Sequence, residues 1–369
     1  MIRVIGLMSG TSLDGVDAAA IETDGVAVGA AGPVTTIPFP PGLRARARAI
    51  LDRAGSLAAD DPDLLAVERE LTQLHVAAVR ALDWPAELIG FHGQTILHRP
   101  DVHRSWQIGD AGLLAAETGV PVVHDFRSAD LAAGGEGAPL VPVFHQALAR
   151  GLEQPLAVLN IGGVANVSLI GASGELLACD VGPGNALLDD WAMRHTGLPC
   201  DRDGAMARAG RVDERVLERL MDDPFFDRPA PKSLDRLSFH RAMDLLAGLS
   251  PVDGAATLAA FTVRAVAGLR LPFRPCRWLV CGGGRHNPVL MDGLRDALGA
   301  VVEPVEAVGW QGDALEAQCF GFLAARTVRG LPLSFPGTTG VGRPVSGGRL
   351  EWRGLPAAAM QGVERLRRR

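Results

Sequence analysis

The pattern that most limits what this chain can become is a strand–glycine turn–strand unit that occurs twice. The apolar run Ile2, Val4, Ile5 leads into Gly6-Leu7-Met8-Ser9-Gly10-Thr11-Ser12-Leu13-Asp14-Gly15-Val16-Asp17, and Val16 to Ile21 returns as a second strand. After a boundary near Gly151–Pro155 the arrangement restarts. Leu156 to Ile161 enters, Gly162-Gly163 turns, and Val164 to Ile170 returns. Two segments that begin alike predict a duplicated α/β unit, with one domain over residues 1–150 and a second over 151–369. A chain of 369 residues, 47% of them apolar, is long enough for two sizeable cores.

The first turn carries chemistry as well as shape. Gly6, Gly10 and Gly15 let the backbone turn tightly and approach a ligand with its amides exposed. Ser9, Thr11 and Ser12 add hydroxyls, and Asp14 and Asp17 suit a cation or its water shell. The stretch reads either as a phosphate cradle built from a hairpin or as an ordinary glycine-rich turn. Its echo at Asn160, Gly162 and Gly163 favours the cradle, since two such hairpins can grip the phosphates of one nucleotide.

Composition narrows the classes. A net charge of −6, with no basic stripe before the terminal Arg-Leu-Arg-Arg-Arg, argues against a nucleic-acid binder. Lys232 is the only lysine, which reads as compositional. No apolar run approaches membrane-spanning length. Met1-Ile2-Arg3-Val4 goes straight into a strand, so no signal peptide is expected. The five scattered cysteines have no CxxC spacing, which fits reduced thiols in a cytoplasmic protein. P-loop, dinucleotide-fold, protein-kinase and serine-hydrolase signatures are all missing.

In chain order, Arg44 to Leu57 and Pro62 to Leu82 read as helices, and Glu87 to Phe91 as a short strand emptying into His92-Gly93-Gln94-Thr95. Polar residues past a strand's carboxyl end are where open α/β sheets meet ligands. His92, Gln94, His98 and Arg99 therefore suit a polar substrate such as a sugar, although a lone histidine also serves well as structure. Ser105 to Asp110, with Gln107, reads as another strand end before a helix from Ala111 to Thr118. Pro121 to His124 is a strand leading into Asp125-Phe126-Arg127, and Gly134 to Pro139 follows. That loop suits either closure over a substrate or a surface connection. Arg127 stands out because a guanidinium grips a carboxylate with two parallel hydrogen bonds.

In the second half, the strand Leu176 to Cys179 delivers Asp180-Val181-Gly182-Pro183-Gly184-Asn185, with Asn185 as N-cap of the helix Ala186 to His195. Asp180, beside glycines and a helix start, is placed for general-base work. Asp189 and Asp190 read as solvated or salt-bridged. The strand Trp278 to Cys281 ends in Gly282-Gly283-Gly284-Arg285-His286-Asn287, where three glycines let a flat purine ring lie against backbone. Glu316 opens the last long helix, either as a second functional carboxylate or as a favourable charge at the helix N-terminus.

Taken together, Gly10 to Asp17, His92 to Thr95, Gln107 to Asp110, Asp125 to Arg127 and Gly134 to Pro142 resemble the blocks of the anhydro-N-acetylmuramic acid kinase family. So do Asn160 to Asn166, Asp180 to Asn185, Pro231-Lys232-Ser233 and Cys281 to Gly284, in the same order across nearly the whole chain. Two stretches depart from the family pattern, Leu234-Asp235-Arg236 and Val341 after Thr339-Gly340.

The resemblance implies a two-domain actin-like ATPase fold, a duplicated ribonuclease H-like arrangement with a central nucleotide cleft. It implies ATP and Mg²⁺, with the metal ligands unassigned. The implied reaction opens the 1,6-anhydro bridge of 1,6-anhydro-N-acetylmuramic acid with water and phosphorylates the released O6. Asp180 would activate the water, and Glu316 would contact the sugar. Gly10, Thr11, Ser12, Leu13, Asp14, Gly15, Val16, Asp17, Asn160, Gly162, Gly163, Gly182, Gly283, Gly284 and Asn287 would face the nucleotide. His92, Gln94, Gln107, Asp125 and Arg127 would face the sugar. A cytoplasmic homodimer, with no nucleic-acid or membrane partner, completes the expectation. A simple sugar kinase without ring opening and a non-catalytic nucleotide switch are the competing readings. The blocks around His92 and Arg127 speak against the switch, which needs no sugar pocket.

Overall fold

The computed structural model describes residues 1–229, 232, 234, 239 and 241–369. Pro231, Ser233, Asp235 and Arg236, named above, lie outside the described residues. The chain divides into two units, residues 1–150 with 314–369, and residues 151–313.

The first unit starts with the antiparallel meander β1 (Ile2–Ser9), β2 (Gly15–Thr23) and β3 (Val28–Pro38). Next come β4 (Leu88–Arg99), parallel to β1, its hairpin partner β5 (Arg104–Ile108), and β6 (Val122–His124), parallel to β4. A late strand, Arg349–Glu351, pairs antiparallel with β6 at the edge. The second unit repeats the plan. β7 (Leu156–Ile161), β8 (Val164–Ile170) and β9 (Leu176–Pro183) form an antiparallel meander. β10 (Arg277–Cys281) and β11 (Val301–Pro304) then add in parallel. The sheet orders β6-β4-β1-β2-β3 and β11-β10-β7-β8-β9 are the same arrangement twice. This is the duplicated ribonuclease H-like fold of the actin-like ATPases.

Period-two alternation explains the first sheet's two faces. Ile5 and Leu7 of β1, Val16, Ala18 and Ala20 of β2, and Ile89 and Phe91 of β4 bury against Leu64, Val67 and Leu71 of the Pro62–Ala81 helix. The opposite face carries small residues at its centre. A Cβ at Gly6 would lie 1.7 Å from the Ala317 carbonyl oxygen, and one at Gly90 2.0 Å from that of Phe320. Ala19 packs with Ala314 and Ala317. The Leu315–Val328 helix therefore lies backbone-close on this sheet. That contact corrects the domain expectation, because residues 314–369 belong to the first unit and not to the second. The second unit's core joins Leu159, Val167, Val181 and Val280 to Trp191, Leu258, Phe261 and Leu294 of its helices.

His75 adds a pH-sensitive element to the first unit. It is buried, its Nδ1 lies 2.7 Å from the Leu71 carbonyl and so donates to it, and its Nε2 has no partner among the described residues. Burial lowers its pKa from 6.5 to about 4. The unfolded chain therefore binds more protons between these values, so stability falls as pH drops through that window. The expected loss is roughly 3 kcal/mol for this residue. Urea melts at pH 7 and pH 4 should show a smaller acid loss for His75→Leu than for the parent. Equal acid losses would contradict this account.

Candidate functional site

In the first unit the β1–β2 turn is built on one carbonyl. The Gly10 oxygen accepts from Leu13 N at 3.1 Å and from Gln94 Nε2 at 3.2 Å. Leu13 holds a φ of +57°, unusual for a leucine, while its side chain is fully buried. Val16 and Gly15 are buried in the ladder, which leaves Thr11, Ser12 and Asp14 exposed and Gly10 and Asp17 half-buried. Thr36 Oγ1 donates to Asp17 Oδ1 at 2.6 Å.

Glu316 stands near this turn at the first turn of its helix. Solvent reaches its side chain, yet protein crowds the carboxyl on enough sides to raise its pKa. The negative charge of Asp17 raises it further, Arg127 opposes the shift, and Asp14 adds a smaller push upward. Hairpin, Glu316 and Arg127 thus form one electrostatic group.

Arg127 is a half-buried clamp. Its Nε and Nη2 lie 3.2 and 2.9 Å from His92 Nε2, and its Nη1 donates to the Gly137 carbonyl at 2.8 Å. His92 Nδ1, 2.8 Å from its neighbour's carbonyl at Gly93, is the donor nitrogen, so Nε2 is the acceptor and the ring is neutral. Burial first, then the Arg127 charge, holds the His92 pKa well below 6.5. Phe320 packs on the His92 ring with centroids 4.4 Å apart.

Next to this clamp opens a polar pocket of about 260 Å³. His92, Gln107 and Asp125 line it, together with Trp106, His124 and Ser128. Gln107 Nε2 donates to Thr95 Oγ1 at 3.1 Å and to Ser105 Oγ at 2.7 Å. Asp125, at φ +55°, accepts from Ser128 Oγ and pairs with Arg349 at 3.0 Å. Trp106 and His124 escaped the sequence reading because a single aromatic and a strand-end histidine carry no pattern of their own.

Several expectations change. His92 and Gln94 do not follow a strand end. β4 continues through them, with Gly93 at φ +75° breaking the register. Gln94 is buried and does not line the pocket, and Arg127 reaches it only through His92. The Gly134–Pro139 loop is not a free lid. Asp130, buried beneath it, accepts from Gly137 N at 2.6 Å, from Thr339 Oγ1 at 2.7 Å and from Ser334 Oγ. Glu136 N donates to the Thr339 carbonyl at 2.8 Å.

The second unit gathers a separate set. Gly184, Asn185 and Ala186 donate their amides to the Gly162 and Gly163 carbonyls at 3.0, 2.7 and 3.2 Å. Asn185 makes no side-chain N-cap bond, contrary to expectation. Its Nδ2 donates instead to the Ile161 carbonyl at 2.9 Å. The Gly282–Gly284 loop closes on the same turn, with a Cβ at Gly282 falling 2.3 Å from Asn160 Oδ1. Asn160, Gly162, Gly163, Gly283 and Gly284 therefore converge. Gly182 instead packs against Ala265 and Phe226, and Asn287 Oδ1 caps the Pro288–Leu298 helix by accepting from Val289 N at 3.0 Å.

Asp180 lies within β9 and not beyond it, because the strand runs on to Pro183. It is half-buried, and its Oδ2 accepts from Leu234 N at 2.7 Å, which fixes the carboxylate's orientation. Lys232, the only lysine, is buried. It donates its Nζ to the Phe225 carbonyl at 3.0 Å, and its own carbonyl accepts from Asp180 N at 2.8 Å.

A family model described as Anhydro-N-acetylmuramic acid kinase matches residues 2–352. The chain belongs to the anhydro-N-acetylmuramic acid kinase family. A relative of that name from Gluconobacter oxydans is 63% identical over 95% of this chain and 99% of its own length. Another from Acidiphilium cryptum is 62% identical, covering 95% and 98%. A third, from Rhodospirillum rubrum, is 52% identical across 100% of this chain and 98% of its own. Membership makes the protein an enzyme, a phosphotransferase with an alcohol group as acceptor. Among the described residues no helix is long and apolar enough to cross a membrane. No group of three or more His, Cys, Asp or Glu among them is arranged to hold a metal ion.

Proposed function

We propose that the protein uses ATP to convert 1,6-anhydro-N-acetylmuramic acid into N-acetylmuramic acid 6-phosphate and ADP. The observation that carries this reading is the family match over residues 2–352. The polar pocket supports it, since His92, Gln107 and Asp125 suit a small hydroxylated ligand.

In this mechanism Asp180 takes a proton from water, whose oxygen bonds to C1 as the C1–O6 bond breaks. O6 then takes the γ-phosphoryl group, so the bridge oxygen leaves as a phosphate ester and needs no separate acid. The Leu234 amide on Oδ2 keeps the carboxylate aimed. Glu316 supports the sugar side.

Thr11, Ser12 and their neighbours supply donors for the phosphates, and the Gly283–Gly284 loop supplies a flat backbone for the base. The repulsion of the Glu316 carboxylate by Asp17 and, more weakly, Asp14 fits a cation nearby. Asp14 and Asp17 would hold Mg²⁺ or its water shell. Mg²⁺ supplies charge neutralisation during transfer. A cytoplasmic homodimer belongs to the same proposal and rests on the family resemblance.

An assay with ATP and Mg²⁺ tests the reading by offering the anhydro sugar beside N-acetylmuramic acid and ordinary hexoses. Phosphorylation of the anhydro sugar at far higher kcat/KM is the expected result. Preference for an ordinary hexose would reject it.

A further inference from the structure

Gln94 sits where the two functions of the first unit meet. It is fully buried, its Nε2 donates to Gly10 O at 3.2 Å and to Thr95 O at 3.1 Å, and its Oε1 has no partner among the described residues. The flipped amide would set Oε1 against both carbonyls, so the donor side must face Gly10. An orphaned buried acceptor is destabilising, because it has given up water for nothing. An apolar side chain of similar length would avoid that cost, so the distinctive property of this position is its donor.

The donor's target explains its value. In a trans peptide the carbonyl and the following N–H point in opposite directions. Holding the Gly10 oxygen against β4 therefore turns the Thr11 amide away from the sheet, toward the open side of the turn. Thr11 and Ser12 are exposed there, and their amides have no protein acceptor among the described residues. Leu13, plugged into the core, anchors the turn's other end in a strained conformation. Ser9 Oγ adds a weaker tie to the Gly93 carbonyl at 3.4 Å, the same carbonyl that His92 Nδ1 engages.

We propose that Gln94 is a positioning residue for the phosphate-binding turn, not a sugar ligand, and that it ties that turn to the strand carrying His92. The proposal rests on the nucleotide reading of the turn given above. It assigns Gln94 an effect on nucleotide affinity, while Gln107, which lines the pocket, affects the sugar.

Calorimetric titration of the full chain with the non-hydrolysable analogue AMPPNP, and separately with the anhydro sugar, tests it. Gln94→Met keeps the length and loses the donor. It should weaken AMPPNP binding by about tenfold or more while leaving sugar affinity within about twofold, and Gln107→Met should do the reverse. Gln94→Glu provides a signature that packing alone does not produce. A neutral carboxyl there donates to Gly10, so its AMPPNP affinity should be near the parent's at low pH. It should fall relative to the parent as pH rises and the carboxyl ionises. Unchanged nucleotide affinity in Gln94→Met, or a loss confined to the sugar, overturns the proposal. Should Gln94→Met fail to fold, the pH profile of Gln94→Glu decides, and a profile parallel to the parent's overturns it. Failure of the parent itself to bind AMPPNP would instead sink the nucleotide reading.

Discussion

Gly90→Ala should leave the protein unfolded or barely folded. The added methyl would stand 2.0 Å from the Phe320 carbonyl oxygen and 2.9 Å from Gly321 N, both backbone atoms of a helix interior. No rotamer change relieves such a clash, so the Leu315–Val328 helix must lift from the sheet. Overpacking typically costs about 1–3 kcal/mol where side chains can adjust, and here the cost should exceed the upper end. Gly6→Ala, directed at the Ala317 carbonyl from the neighbouring strand, should behave alike. Gly42→Ala is the control. A Cβ there meets nothing within 4 Å, and the residue lies in the Pro41–Arg53 helix. It should raise stability by about 0.5–1 kcal/mol through lost unfolded-state freedom. Thermal melts followed by circular dichroism would rank the three. A Gly90→Ala melting temperature close to that of Gly42→Ala would refute the close helix–sheet packing.

Asp180→Asn carries the second large effect. Asparagine keeps an acceptor for the Leu234 amide and nearly the same volume, so the strand and its neighbours should stay as they are. What it loses is the ability to take a proton. General-base removal typically lowers turnover by about 10²–10⁴-fold. Sugar and nucleotide affinities should change little, because the lost interaction forms only as the reaction proceeds. Single-turnover kinetics with paired binding measurements separate these quantities. Full activity in Asp180→Asn would remove Asp180 from the mechanism.

The local parts of this account were legible in the sequence. The hairpin from Ile2 to Ile21 announced itself by apolar runs around a glycine turn, and its recurrence at Leu156 to Ile170 foretold two equivalent sheets. The helix Ala111–Thr118 also has the bounds read from the sequence, and the structure shows Asp110 capping its start and Gly119 ending it.

The misses share a cause, which is that long-range partners leave no local trace. Nothing in the Leu315–Val328 helix says that it packs on a sheet begun at Ile2. Its companions are Gly6, Gly90 and Ala19, small residues whose meaning lies in what approaches them. Gln94 looked like a sugar contact because it is polar and beside His92, but its partner is a carbonyl 84 residues away. The Arg349 that pairs with Asp125 lies more than 200 residues further along the chain, and no local pattern announces it. Asn185 reads as a helix cap until the Ile161 carbonyl competes for its side chain.

The most direct test of the proposed reaction is turnover of 1,6-anhydro-N-acetylmuramic acid with ATP and Mg²⁺ in ¹⁸O-enriched water, with the product analysed by mass spectrometry at early times. Coupled ring opening and phosphorylation predicts a phosphorylated product carrying one solvent oxygen at C1, formed by the parent and lost in Asp180→Asn. A phosphorylated product without solvent oxygen, its anhydro ring intact, would contradict the account and leave an ordinary sugar kinase.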